Sequence, residues 1–562
     1  MKSTRIWTHC LVICLLLSAA PSAHSIDLYD KTPGVQLDIT ESLFLAYHSL
    51  LDDANIEPRP EHIVDLRNRL NLALRLDPKA TIDGWKISPM VIGGRIDAAW
   101  FPNAPSERYA DDIRPEELYF RGSVRHKTGG RIKWTLGDDY LSFGRGMALS
   151  LRKMDELGFD LSLRGGHLTY QHKYATLRMS GGVTNVVNVD GIERKRVPDP
   201  NDLIFAARLE TRPLSWMLFG AHVVDVERRH SEVYQTFAPA ILDGGDYRSL
   251  NARNYLRSLV VGGNMEFKNL GKAVTIYAEA NAVFNEDEIA AVSEPIKDDG
   301  YAVYAAVTAY AGPVTLLAEA KHYENYRLQS TPHPDTVPFP GLQQQFQYIT
   351  PPTLERYDQR VQQNTDVTGG HLRADIRIPE TRDTIFLSGA YFVDTPVEEE
   401  STLHVYGGWE HKEESGTRWV AQYGYRYEGD AGPGDVRLRM FHLDLDLYLK
   451  LSGPHDLQLH LAHEFRQESV GTVQEDSYME GTSYISWNFA PHWSVTAQFE
   501  YKTSDLEPHP YFPGAYIAYK FTHDTHIRLF GGRMKGGLKC AGGVCRIFPN
   551  FEGVQLDATM RF

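Results

Sequence analysis

The densest run of chemically able side chains is His442, Asp444 and Asp446, spaced by two and followed one segment later by His460 and Glu464. At that spacing the members of each run share one face of an extended strand. Imidazole nitrogen beside carboxylate oxygen can hold a divalent transition metal or pass protons. Any strand that is polar at every second position produces such ladders, however, and ligand types without geometry select no metal. His442 and His460 are therefore the weak metal candidates, and no metal or other cofactor is expected. Asp138-Asp139 and Gly144-Arg145-Gly146 lack the helix or glycine-rich loop that phosphate chemistry needs, so they read as turns and close backbone approach. Neither a serine nucleophile elbow, nor a zinc-protease helix motif, nor a C-x-x-C-H haem site occurs, and no enzymatic activity is expected.

The elements that would position these residues follow a period of two. Trp493, Val495, Ala497, Phe499 and Tyr501 alternate with Thr496, Gln498, Glu500 and Lys502; Leu457, Leu459, Leu461 and Phe465 alternate with Gln458, His460 and Glu464. Leu66, Leu70, Leu72, Leu74 and Leu76 back Arg67, Arg69, Asn71 and Arg75, and Leu157, Phe159, Leu161 and Leu163 back Asp160, Ser162 and Arg164. Val274, Ile276, Ala278, Ala280, Ala282 and Phe284 form a further apolar stripe. Segments of this kind read as transmembrane β-strands with one face to lipid and one to a polar lumen, and about 24 of them can be counted, with a range of 22 to 26. Near Met440 the apolar face changes parity, which a β-bulge or, preferably, a strand projecting beyond the bilayer would produce. Short turns such as Lys127–Gly130, Asn269–Gly271, Pro379–Arg382 and Ala490–His492 alternate with longer polar connections, the longest at about 229–257 and 329–365. This is the short-turn, long-loop alternation of a membrane barrel, and an even strand count leaves both termini in the periplasm.

Residues 1–25 combine a basic start, an apolar run and small residues before Ser25, and are read as a signal peptide, leaving 26–562 as a single barrel domain. No later stretch is apolar enough for a spanning helix. The net charge of −15 and the absence of basic clusters exclude nucleic acid as a partner, while 30 Tyr, 24 Phe and 9 Trp suit interfacial girdles. Of four cysteines, Cys10 and Cys14 leave with the signal peptide. Cys540 and Cys545 remain in an oxidising compartment, in the last extracellular loop on this register, where a disulfide closing so short a loop would contribute about 2 kcal/mol.

The terminal strand, Val554 to Phe562, resembles in its alternation and final aromatic the sorting signal of outer-membrane barrels. Leu136–Leu149, with Asp155–Asp160, Leu163–Gly166 and the stretch from Gly536 to the end, resembles an uncharacterised family of large Gram-negative outer-membrane barrels. That resemblance implies barrel architecture and supplies no catalytic or binding residues. Outer-membrane lipid and the barrel-assembly machinery are the partners it implies.

On this register the pore-lining candidates are Arg67, Arg69, Arg75, Arg164, Arg373, Asp375, Arg377, Arg418, Arg426, Asp444, Asp446, Glu464 and Glu500. Twenty-four tilted strands imply a backbone diameter of about 48 Å and an interior of about 35 Å, and the few residues before the first strand are too short for a plug. Two expectations follow. The chain is a passive solute pore narrowed by its own long loops, or it is a barrel plugged in trans by a luminal partner protein, as a secretion component or the sheath of an electron conduit.

Overall fold

The computed structural model describes residues 26–27, 34–49, 62–100, 111–154, 159–187, 201–228, 255–287, 299–328, 347–354, 366–394, 400–430, 436–470, 474–505, 507–522, 524–541, 544–548 and 550–561. Residues 1–25 and Phe562 lie outside them, as do most of the two longest loops. Twenty-four strands build one wall. In chain order they are β1 Val35–Ser49, β2 His62–Leu76, β3 Met90–Trp100, β4 Asp111–His126, β5 Arg131–Asp139, β6 Phe159–Gln171, β7 Ala175–Val187 and β8 Leu203–Thr211. There follow β9 Met217–Glu227, β10 Tyr255–Leu270, β11 Val274–Asp287, β12 Gly300–Ala311, β13 Val314–Glu324, β14 Val367–Ile378, β15 Asp383–Asp394 and β16 Glu400–Lys412. The last eight are β17 Arg418–Asp430, β18 Val436–Lys450, β19 His455–Val470, β20 Gln474–Phe489, β21 Trp493–Lys502, β22 Tyr511–Lys520, β23 His526–Met534 and β24 Phe551–Arg561.

Each strand pairs antiparallel with the next, and β24 returns to β1, with Thr40 opposite Arg561 and Ser49 opposite Glu552. Closure satisfies every wall strand on both sides and leaves no edge. The outer face is apolar: Leu372, Leu387, Tyr423, Phe465, Met479 and Val554 are each at least half exposed. A band of this extent is a surface for hydrocarbon rather than water. The predicted faces hold along most of the wall. Ile276 to Phe284 point outward while Tyr277, Glu279 and Asn281 are buried inside, and the arginines of β2 lie on the inner face, opposite its leucines.

The wall bears on two expectations. The parity change near Met440 has the preferred cause, a strand that projects: β18 pairs with β19 without interruption from Leu438 to Lys450, and the register shift against β17 leaves Arg437 as an extra residue between Val436 and Leu438, ahead of Met440. Leu438 and Met440 are buried on the inner face, and the outer face at that end carries exposed Arg437 and Arg439. The strand thus extends past its apolar band, which the 15-residue length of β18 allows, since about 10 residues suffice to span.

The revision concerns β6. Leu161 and Leu163 are fully buried in an internal apolar cluster and do not face lipid. The opposite face of the same strand carries Leu168 and Tyr170 to the outside. Beyond Gly165, that face instead covers Asp160 and Arg164 against Arg95, Asp138 and the carbonyl of Glu116. Because Arg95 belongs to the inner face of β3, the ends of β6 and β7 turn into the barrel. Glycine permits the turn: Gly137 adopts φ +104°, and a Cβ on Gly165 would lie 2.0 Å from the Gly181 carbonyl oxygen.

Between β5 and β6 a small hairpin enters the same space, Leu141–Phe143 pairing with Leu149–Leu151. Its Phe143, Met147, Ala148, Leu149 and Leu151 are fully buried. Segment 347–354 lies beside it. The Ser150 amide donates to the Tyr348 carbonyl at 2.7 Å, the Thr350 amide to Gly146 at 2.7 Å, and the Tyr348 amide to Leu328 at 2.8 Å. Together with Ile204, Val224, Val226 and Val260 of the wall these residues form an apolar core inside the barrel.

Candidate functional site in the barrel interior

The alternation of the strands places the predicted charges on the inner face, where most pair two residues along their own strand and some reach a neighbouring segment. Arg67 reaches Asp65 at 2.6 Å, Arg69 reaches Asp97 at 3.3 Å, and Arg373 holds its neighbour Asp375 at 2.7 Å. Arg426 binds Glu428 at 2.7 Å and is almost fully buried. Arg466 Nε donates to Glu464 at 2.6 Å, and the Lys535 amide donates to Glu500 at 2.8 Å. Arg418 lies over the Tyr448 ring at 5.5 Å, and Arg75 and Arg377 are exposed on the inner face of β2 and β14. Arg164 differs from these. It lies against Asp138 at 3.1 Å and the Glu116 carbonyl at 2.9 Å, in the inturned corner rather than on an open wall.

The imidazole ladder separates into two sites. His442 Nδ1 meets Asp444 at 3.0 Å, and its Nε2 lies 3.0 Å from Nε2 of His404, a residue the sequence reading passed over. His460 pairs instead with Asp446 at 2.7 Å and stacks on Tyr484. Among the described residues no three His, Cys, Asp or Glu side chains gather closely enough to hold a metal ion. Cys540 and Cys545 are directly opposed in the register of a hairpin, Gly537–Ala541 with Val544–Phe548.

Two clusters stand out that alternation alone does not reveal. In the first, Arg95 contacts Asp97 at 3.2 Å, Asp160 at 2.6 Å, and Glu117. Tyr140 donates to Asp160 at 2.7 Å, with Glu117 at 3.0 Å. Burial, reinforced by both carboxylates, raises the Tyr140 phenol well above its ordinary range. The second cluster joins the internal hairpin to the wall. Arg145 donates its amide to Glu279 at 3.0 Å and its guanidinium to the Tyr304 hydroxyl at 2.7 Å, lying over the Tyr277 ring at 4.2 Å. From there the bonds continue outward, Tyr304 donating to Glu319 at 2.5 Å, Glu319 meeting His371 at 2.8 Å, and His371 meeting Ser388 at 2.8 Å. The sequence signal for this cluster was Gly144-Arg-Gly146, whose glycines take φ +62° and +85°. Its partner, more than a hundred residues distant, carried no local mark.

Exposure along the inner wall is graded from one end to the other. On β18, Met440 is 0% exposed and Asp444 8%, whereas the Asp446 side chain, nearer the short turns, is 53% exposed. On β14 the series runs from buried Val367 and His371 to part-exposed Arg373 and Asp375. The interior is thus occluded toward the long loops and open toward the turns.

Residues 400–562 match a "Family of unknown function (DUF6029)". No curated protein sequence matches the chain. Among solved structures, similarity extends to the P pilus usher (PapC) translocation pore, at 8% identity over 93% of this chain and 99% of that one, with a TM-score of 0.36. OccAB3 of Acinetobacter baumannii is similar at 10% identity over 94% and 99%, with a TM-score of 0.35. The siderophore receptor PirA of Pseudomonas aeruginosa is similar at 9% identity over 93% and 80%, with a TM-score of 0.42. The chain is a closed antiparallel barrel of 24 strands whose last third carries the match to that uncharacterised family.

Proposed function

We propose that this barrel is a passive solute pore of the bacterial outer membrane, narrowed by segments of its own chain that fold inward. One observation carries the reading: the Leu141–Leu151 hairpin and segment 347–354 pack against the inner wall, with Phe143, Met147 and Leu149 fully buried. A wall that already holds its own chain has less need of a plug supplied in trans, so the sheath reading is the weaker of the two. Charges left at the open end would bias passage without blocking it. In this reading the short turns and both termini are periplasmic, residues 1–25 are removed on export, and Cys540 and Cys545 form an extracellular disulfide. Phe562 addresses the chain to the assembly machinery.

Planar-bilayer recording of the purified chain tests the proposal. Stable channels much smaller than an empty 24-stranded barrel would allow are expected, and replacing residues 142–150 by a short glycine-serine link should enlarge them. Very large, erratic conductance from the intact chain, or a stoichiometric protein retained through purification, would overturn it.

A further inference from the structure

The hairpin is held by more than apolar packing. Arg145, at its tip, places its guanidinium over the rings of Tyr277, at 4.2 Å, and Tyr304, at 5.2 Å. At the hydroxyl ends of these rings lie two carboxylates, Glu279 and Glu319, which are almost fully buried. Tyr277 donates its hydroxyl to Glu279, as does the Asn281 amide at 3.2 Å, and Tyr304 donates to Glu319. Gly144 lies so close that a Cβ there would fall 2.1 Å from a Glu279 oxygen, so the backbone approach is itself fitted to the carboxylate. Every group of this cage except Arg145 and Gly144 belongs to the wall. Of the wall groups nearby that can carry positive charge, His371 lies 2.8 Å from Glu319, Arg208 reaches Glu210 at 3.0 Å and Asn264 at 2.8 Å, and Lys321 lies over Tyr323 and Phe392; it is Arg145 that stacks on both tyrosines beside Glu279.

Planar cations favour aromatic faces, the more so where a buried carboxylate such as Glu279 is hydrogen-bonded to the ring hydroxyl. We infer that the Tyr277, Tyr304, Glu279 and Glu319 cage is a binding site for small organic cations bearing a guanidinium group, and that Arg145 is a tethered occupant that keeps it closed. Tethering gives Arg145 an effective concentration on the order of millimolar, so a free ligand competes only when the hairpin leaves or when its concentration exceeds that value. The inference rests on the pore reading only in placing the site on a route for solutes; the binding itself does not require a channel.

The test uses the full-length barrel folded in detergent, with n-propylguanidinium as probe and its uncharged analogue n-propylurea as control. Titration calorimetry should show the Arg145→Ala barrel binding n-propylguanidinium at least about tenfold more tightly than the unaltered chain, since one competing cation–π contact has been removed. The urea should not bind, and Arg145→Ala combined with Glu279→Gln should lose the gain. Equal binding by the unaltered chain and Arg145→Ala, or a gain that survives Glu279→Gln, would overturn the site. Arg145→Gln, closer in length, serves as a second variant should the alanine form fail to fold. In bilayers, blockade of Arg145→Ala current by the same probe would join the site to the pore. Channels without any binding would remove the site and leave the pore, whereas binding without channels would do the reverse.

Discussion

The inner walls of β8–β11 and of β17–β24 are drawn from the same alternating pattern and meet different surroundings. Along β8, β9 and β10 the inner positions include Ile204, Val224, Val226 and Val260, all at most a few per cent exposed. At roughly 25 cal/mol per Å² such a wall would be expensive to wet, and the hairpin from β5 to β6 covers it. Along β18, β19 and β23 the inner positions are Asp446, Glu464 and Arg528, paired with His460, Arg466 and Asp557. The Arg528 side chain is about half exposed. Beside β8–β10 the apolar inner positions lie where the chain covers itself, whereas on β18 and β23 the ion pairs nearest the short turns, Asp446 with His460 and Arg528 with Asp557, lie where water reaches. The hairpin and segment 347–354 fill the bore beside β8–β10.

The most severe test of that contrast is a charge placed in the filled arc. Phe143 is fully buried, with the Arg208 guanidinium 5.9 Å from its ring and His222 alongside. Phe143→Asp should cost the hairpin about 3–5 kcal/mol of packing. The wall, closed without the hairpin, should still form. The expected outcome is an unchanged folded-barrel band in cold electrophoresis and a several-fold rise in single-channel conductance; an unchanged conductance would show that the hairpin does not narrow the bore.

What the sequence disclosed follows the same division. Wherever one face meets lipid and the other is polar, the period-two contrast is complete, and β2, β11, β19 and β21 are assignable residue by residue. Where the chain fills its own lumen both faces are apolar or both buried, and the contrast vanishes. That is why Leu161 and Leu163 read as lipid-facing and are not. The strand count survives because turns and alternation are local. The partnership of Arg145 with Glu279, or of His404 with His442, depends on which strands become neighbours and on a loop re-entering the barrel, which no local spacing records. The terminal Phe562 lies outside the described residues, and the faces of β24 alternate as expected, with Val554 outside and Asp557 inside.

On the outer surface the two arcs should behave alike, because lipid covers both. Leu372, two-thirds exposed in the middle of β14, is a fair probe. Leu372→Arg should destabilise the barrel by about 2–4 kcal/mol, as arginine does near a bilayer midplane. Equilibrium refolding from guanidinium chloride into vesicles measures this; a cost near zero would remove that face from the hydrocarbon.

A smaller effect is expected at the boundary between the arcs. Tyr140 lies outside the wall strands and bridges Glu117 and Asp160. Tyr140→Phe should cost about 1–3 kcal/mol by leaving buried acceptors with one donor fewer. Because the folded phenol is held protonated, its contribution is whole below the ordinary value of 10.0 and is lost as pH rises toward its elevated folded value. The stability gap between the two chains, from refolding titrations, should therefore be constant through neutral pH and narrow in alkali; a gap that widens in alkali would reverse the assignment.

The smallest structural effect belongs to the wetted arc. Arg528 and Asp557 meet at 2.9 Å near the turn end, with the Arg528 side chain 48% exposed. An exposed pair of this kind contributes less than about 1 kcal/mol, so Arg528→Gln should leave the refolding midpoint almost unmoved. Its charge nevertheless faces the route a solute would take. Removing it should shift the reversal potential in a potassium chloride gradient toward cation preference. The shift should shrink as salt rises, since the screening length falls from about 10 Å at 0.1 M to about 3 Å at 1 M. A charge change in the filled arc alters packing first, and one in the wetted arc alters the field first. If Arg528→Gln instead destabilised the barrel and left selectivity alone, the two arcs would not differ in kind, and the open side would have to be closed by something other than the hairpin.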